Sequence, residues 1–247
     1  MLSREGYNRG RVTANHRYSE PHNGGVMIVQ IYSMTSVAEA IATAEAGAGL
    51  IGVVVAEPGI VPEGITAAQA REILGAIRPR SWGAVLSLAD DREEICAMAE
   101  AVRPDILHVA AREIEPEDCA WIRQRIAPIR LLRAVAVRTG ETLAEAETHQ
   151  GAIDYLMLEA GAKGAGGETH SWAECRTVAE RSRVPVILAG GLTAENVGEA
   201  IRQVRPWGVD SFTHTDVIGN RGHKDPARVK AFVAATLRGF ADVIERG

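Results

Sequence analysis

From Val26 onward the chain alternates eight times between a short apolar run of strand length and a longer amphipathic stretch of helix length. No other feature narrows its fold so far. The apolar runs lie at 26–32 (VMIVQIY), 50–55 (LIGVVV), 82–88 (WGAVLSL), 104–109 (PDILHV), 130–137 (RLLRAVAV), 153–158 (IDYLML), 185–189 (PVILA) and 207–213 (WGVDSFT). Helical stretches such as "SVAEAIATAEAGA", "TAAQAREILGAI" and "DREEICAMAEAV" separate them, several opening on a Ser, Thr or Asp suited to capping a helix N-terminus. Strands alternating one for one with helices build a parallel sheet covered by helices. The expected fold class is therefore α/β, a single (β/α)8 TIM barrel over 26–247, with a doubly wound open sheet as the alternative. Residues 1–25 are polar and lack the apolar segment of a signal peptide. They are expected to form an N-terminal extension, either a mobile arm or, if ordered, a lid or an oligomer contact such as that of a homodimer.

Composition excludes several classes of partner. The formal net charge is -5 and no Lys/Arg run is dense enough for a nucleic-acid or anionic-membrane patch. No apolar run reaches the roughly 18 residues of a membrane span. Three cysteines, Cys96, Cys119 and Cys175, lack metal-ligand spacing and fall in helical stretches, where they are expected to pack as free thiols. A soluble, cytoplasmic protein acting on a small molecule is the expectation, with no nucleic acid or membrane as partner.

In a barrel of this type, function gathers at the C-terminal strand ends. There the stretch "ILAGGLTAEN" ends an apolar strand in Gly190 and Gly191 and then opens a helix. Bare backbone beside a helix N-terminus suits a phosphate group, the expectation in a barrel of this type, with a tight turn needing positive φ as the alternative.

The segment "PVILAGGLTAENVGEAIRQVRPWGVD" resembles the phosphoribosylanthranilate isomerase family, as do "VQIYSMTSV", "AGAGLIGVVV", "PDILHVAAREI", "IDYLMLEAGAKGAGGETHSW" and "GHKD". The resemblance covers almost everything after residue 25. It implies a (β/α)8 barrel that converts an aminoaldose phosphate into an aminoketose phosphate by acid–base chemistry, with no cofactor. It also implies site positions. Tyr32 stands where the family has its general base, a Cys, and Glu159 where it has its general acid, an Asp. Gly59 replaces an Arg and Ala110 a His.

Alternation along the strands places Gln30 with Tyr32 on one face, His108 with Ala110, and Tyr155 with Met157 and Glu159. The candidate catalytic residues are thus Glu159, His108 and Tyr32. Gly190, Gly191, Thr213 and His214 are the candidate phosphate-binding residues, and Gln30, Asp216 and His170 the candidates for other substrate contacts. Each has a structural alternative: a packed tyrosine, a satisfied core histidine, a solvent-facing His214. The spacing of the imidazoles and carboxylates demands no metal, and none is expected.

The expected activity is isomerisation, epimerisation or a related enolisation of a phosphorylated sugar or sugar-derived metabolite. One alternative is phosphoribosylanthranilate isomerase itself with replaced catalytic residues. The other is a catalytically silent barrel that binds a sugar phosphate or a protein.

Overall fold

Every one of the eight apolar runs forms a strand in the computed structural model, which describes residues 27–57, 59–138, 140–160 and 169–246. In chain order the strands and helices are β1 (Ile28–Ile31), α1 (Val37–Glu45), β2 (Leu50–Val55), β3 (Gly64–Ile65), α2 (Ala67–Ala76), β4 (Trp82–Ser87), α3 (Arg92–Val102), β5 (Ile106–Val109), α4 (Pro116–Ile126) and β6 (Arg130–Ala136). There follow α5 (Thr142–His149), β7 (Tyr155–Glu159), α6 (Thr169–Arg181), β8 (Val186–Ala189), α7 (Val197–Val204), β9 (Gly208–Ser211), β10 (Asp216–Val217), β11 (Asn220–Lys224) and α8 (Pro226–Arg246). The order around the sheet is β1-β2-β4-β5-β6-β7-β8-β9, all parallel, and β1 pairs with both β2 and β9, which closes the barrel. The expected arm, residues 1–25, lies outside the described residues. Among those described, no helix is long and apolar enough to cross a membrane.

Local chemistry starts the helices where the sequence suggests. Ser36 accepts the Glu39 N–H at 3.3 Å and Asp91 the Glu94 N–H at 2.9 Å. Thr66 and Gln69 form a reciprocal capping box. The strands then sort their side chains by parity. Val29, Ile31, Ile51, Val53, Leu107, Val109, Leu156, Leu158 and Leu188 face outward into one continuous core with the helices, which also buries Cys96, Cys119 and Cys175 as free thiols. Ile28, Leu50, Ala84, Ile106, Leu132, Tyr155, Met157 and Ile187 fill the barrel itself. A plug of this kind leaves room for chemistry only above it, at the C-terminal mouth. Gly52 makes that room: a Cβ there would lie 2.5 Å from the Tyr32 ring, so only glycine lets the ring lie across β2.

Two features depart from expectation. The first run ends as a strand at Ile31 rather than 32, although the Tyr32 N–H still bonds Ser211 O at 3.1 Å. The last ends at Ser211 because Phe212 leaves the extended region (φ -115, ψ -92) and a 3₁₀ turn, Thr213–Thr215, follows. The connection from there to α8 holds the antiparallel β10–β11 hairpin, which accounts for its length.

That hairpin stands on a buried ion pair. Lys224 Nζ bonds Asp216 and donates to Phe212 O at 3.1 Å, while Asp216 accepts the Gly222 N–H at 3.0 Å. Removing one member strands the other charge in a buried site. Lys224→Met is expected to destabilise the fold by about 3 kcal/mol, and Lys224→Met with Asp216→Leu to recover part of that loss in urea unfolding.

Candidate functional site

The C-terminal mouth holds a cavity of about 360 Å³. Seven of the ten sequence-selected residues line it: Tyr32 after β1, His108 on β5, Glu159 closing β7, Gly190 and Gly191 after β8, and Thr213 and His214 after β9. Gln30 lies fully buried on β1, and neither atom of its amide has a hydrogen-bond partner among the described residues. Asp216 is not in the lining; its carboxylate is engaged by Lys224 and the Gly222 N–H in the hairpin. His170 falls at the start of α6, and its side chain lies outside the described residues. A larger groove, about 700 Å³, opens at the opposite end of the barrel around Arg78, Trp82, Asp105 and Arg130. Arg78 bonds Asp105 there at 2.9 Å and Arg130 the Tyr155 hydroxyl at 2.7 Å, and the groove holds none of the strand C-termini.

The turn after β8 explains its two glycines. Gly190 has φ +95 and Gly191 φ +67, and a Cβ on Gly190 would stand 2.6 Å from Ala160 O. Backbone conformation and the approach of β7 thus exclude side chains at Gly190 independently of any ligand. The expected opening of a helix at Leu192 and Thr193 needs correction: α7 begins at Val197. Thr193 and Asn196 hold a turn instead, with the Thr193 N–H on Asn196 Oδ1 at 2.8 Å and the Glu195 and Asn196 N–H groups on Thr193 Oγ1 at 3.2 and 3.3 Å. Those three donors are spent within the turn. The N–H groups of Gly191 and Leu192 have no hydrogen-bond partner among the described residues, and both residues line the cavity.

Burial sets the protonation of the site. Tyr32 OH and His108 Nδ1 are 3.1 Å apart, with the rings edge to face. If the hydroxyl donates, the imidazole carries its proton on Nε2, an assignment of tautomer that follows from the hydrogen bond. Burial, helped by the Arg133 charge, lowers the His108 pKa to about 3, so the ring is neutral in ordinary buffers. Burial, with Asp210 and Glu159 adding to it, holds the Tyr32 phenol well above its usual range. Glu159 is reached by solvent through the mouth, yet the protein around it raises its pKa by desolvation.

Asp210 was not among the candidates from sequence. It is the penultimate residue of β9, paired with Gln30 on β1, is 8% exposed, and its Oδ1 has no partner among the described residues. Burial first, then the Glu159 charge, push its pKa up to about 8 against an opposing pull from Lys224. Its signal was present: in "WGVDSF" it is the acidic residue two positions beyond the inward Gly208 at a C-terminal strand end. Arg221 and Glu63, also in the lining, pair across 158 positions of sequence and gave no local signal. Among the described residues no three His, Cys, Asp or Glu side chains are grouped to hold a metal ion.

Two carboxyls with raised pKa values, Asp210 buried and Glu159 open to the mouth, set above a plugged (β/α)8 barrel beside unpaired backbone donors, make a site suited to an acid–base enzyme such as an isomerase. The model of the N-(5'-phosphoribosyl)anthranilate isomerase family matches residues 32–235, and the chain belongs to that family. The N-(5'-phosphoribosyl)anthranilate isomerase of Pseudomonas putida (strain W619) is 35% identical over 209 residues, 83% of this chain and 95% of its own. The crystal structure of phosphoribosyl anthranilate isomerase from Thermotoga maritima superposes with a TM-score of 0.76 at 25% identity, covering 86% of this chain and all of its own. A phosphoribosyl anthranilate isomerase in complex with reduced 1-(o-carboxyphenylamino)-1-deoxyribulose 5-phosphate shares the fold, with a TM-score of 0.73 at 24% identity over 86% of this chain and 100% of its own.

The raised pKa of Asp210 has a consequence for stability. Folding favours its protonated form, so its contribution is full below the ordinary carboxylate pKa and is lost as pH rises from about 4 to about 8. Asp210→Asn, which never ionises, is expected to be more stable than the parent at pH 9, with the difference shrinking towards pH 5. Urea unfolding at the two pH values measures it; an equal difference at both would contradict the assignment.

Proposed function

We propose that this chain isomerises N-(5'-phosphoribosyl)anthranilate to the corresponding aminoketose phosphate. The observation that carries the reading is the convergence of Asp210 and Glu159, both with raised pKa values, on one cavity beside Gly190 and Gly191. Membership of the family supplies the substrate.

The chemistry needs a proton donor at the furanose ring oxygen and a base at C2. Burial and the Glu159 charge push the Asp210 pKa up to about 8, so near neutral pH the deeper Asp210 holds a proton. Asp210 gives that proton to the ring oxygen as the C1–O bond breaks and the anilino nitrogen lone pair forms a C1=N bond. The Glu159 carboxylate then takes the proton from C2, and the C–H electron pair forms a C1–C2 double bond while the C=N electrons return to nitrogen. Reprotonation at C1 with loss of the enol proton completes an isomerisation that balances without an oxidant. Resemblance alone makes Glu159 the acid; the deeper burial of Asp210, with its pKa pushed up to about 8, favours the reverse assignment.

Tyr32 and His108 have a different part in this reading. A phenol pushed well above its usual pKa and an imidazole lowered to about 3 are poor proton carriers at pH 7. Their mutual hydrogen bond makes them a neutral wall that orients the substrate. Gly190, Gly191, Thr213 and His214 surround the phosphate, with the free N–H groups of Gly191 and Leu192 as donors. The Gln30 amide is buried below the mouth, outside the cavity lining, and has no partner among the described residues.

One observation favours a second reading, enolisation of another phosphorylated aminosugar. Tyr32, fully packed against Gly52, occupies the position that the family pattern gives to a thiol base.

Turnover of phosphoribosylanthranilate by the wild type tests the first reading. Glu159→Gln and Asp210→Asn are expected to lower kcat by 10² to 10⁴, roughly the range for loss of a general acid or base, and Tyr32→Phe by less than about tenfold. The wild-type kcat/KM should fall about tenfold per unit above the Asp210 pKa of about 8. Proton NMR in heavy water distinguishes the readings: deuterium entering only other sugar phosphates favours the second, and none entering any favours a silent binding barrel.

A further inference from the structure

The substrate of the proposed reaction carries two anionic groups, a phosphate and a ring carboxylate. The cavity meets them with three acidic side chains in its lining, Glu63, Glu159 and Asp210, and, among the described residues, a single Lys or Arg, which is Arg221. The free N–H groups of Gly191 and Leu192 can serve one anion. The other must find a cation or lie against like charge.

Arg221 is built to be that cation. It extends from β11, and its Nε and Nη2 donate to Glu63 Oε2 at 3.0 Å and Oε1 at 2.7 Å. Its guanidinium carbon lies 4.8 Å from the Phe212 ring centroid. The backbone beside it is tied down by Thr35 Oγ1, which donates to Gly222 O at 3.1 Å. Glu63 is 5% exposed and the Arg221 side chain 53%, so the anchor is buried while the guanidinium stays open. A guanidinium has five N–H donors on two usable edges. The Nε–Nη2 edge is spent on Glu63. Nη1 has no hydrogen-bond partner among the described residues, which leaves the Nη1–Nη2 edge with two parallel donors at carboxylate spacing.

We infer that the Nη1–Nη2 edge of Arg221 receives the substrate's ring carboxylate, with Glu63 and Phe212 holding the guanidinium in place for it. The inference rests on the functional reading above and assigns a specificity role to a residue of the hairpin rather than to the loop after β2, where Gly59 leaves no side chain to recognise an anion. It makes the hairpin part of the substrate site.

Calorimetric titration of the full chain tests it with two ligands: reduced 1-(o-carboxyphenylamino)-1-deoxyribulose 5-phosphate and the anilino analogue that lacks only the ring carboxyl. Neither titration requires turnover. The wild type is expected to bind the carboxylated ligand about tenfold to a hundredfold more tightly, in line with a charge-assisted bidentate contact. Arg221→Met should erase that preference and leave binding of the anilino ligand within about twofold. Arg221→Lys, which keeps the charge without the fork, should keep part of it and secures the test if the Met variant unfolds. Equal loss of both ligands would show that Arg221 only supports the hairpin, and an unchanged preference would place the carboxylate elsewhere; either overturns the inference alone. A wild type that binds neither ligand overturns the functional reading and this inference with it.

Discussion

Closure of the sheet at β1 is the constraint from which the site follows. Gln30 is paired in register with Leu50 on β2 and with Asp210 on β9, so one four-residue strand joins the two ends of the sheet. Once closed, the barrel has an inside, and the parity of each strand decides what enters it. Apolar side chains fill the lower layers, and Gln30, His108, Asp210 and Tyr32 are stacked above them where water is scarce. The same side chains on an open sheet would be solvated, and their titration would be ordinary.

That desolvation produces the chemistry. Burial raises the pKa of both Asp210 and Glu159, and the Glu159 charge adds to the rise at Asp210, which reaches about 8 and leaves that carboxyl protonated near neutral pH. The Lys224 charge lowers Asp210 only in part, since Lys224 is committed to Asp216. The hairpin therefore has two jobs. Its buried ion pair fixes the loop after β9, and its Arg221–Glu63 link ties that loop to β3 across the mouth. Tyr32 and His108, polar in composition yet neutral in charge, share one hydrogen bond, while His108 Nε2 is buried without a partner among the described residues.

The legible part of the sequence was its periodicity. Eight apolar runs with capped helices between them indicated a parallel α/β fold, the barrel ahead of an open doubly wound sheet, because alternation of period two and period 3.6 is local and survives whatever lies next to it. Strand parity likewise put Tyr32, His108 and Glu159 on inward faces, and the barrel then brought them to one cavity. The two glycines after β8 were legible as a special backbone, but the reason for Gly190 was not. It includes the approach of Ala160, thirty positions earlier, as well as left-handed backbone. Asp216 and His214 looked equivalent as loop polar residues. Only folding separated them, by giving Asp216 the buried Lys224 and leaving His214 in the cavity lining.

By itself, then, the sequence determined the strand and helix succession, the inward and outward faces, and a family pattern strong enough to indicate an isomerase of phosphorylated sugars. These are properties of neighbours along the chain. The tertiary structure alone decided that Asp210 keeps its proton, that Tyr32 and His108 are neutral partners, and that Arg221 is held by Glu63 at the mouth. Those are properties of distance and dielectric between residues far apart in sequence, which exist only once the barrel has closed and water has left.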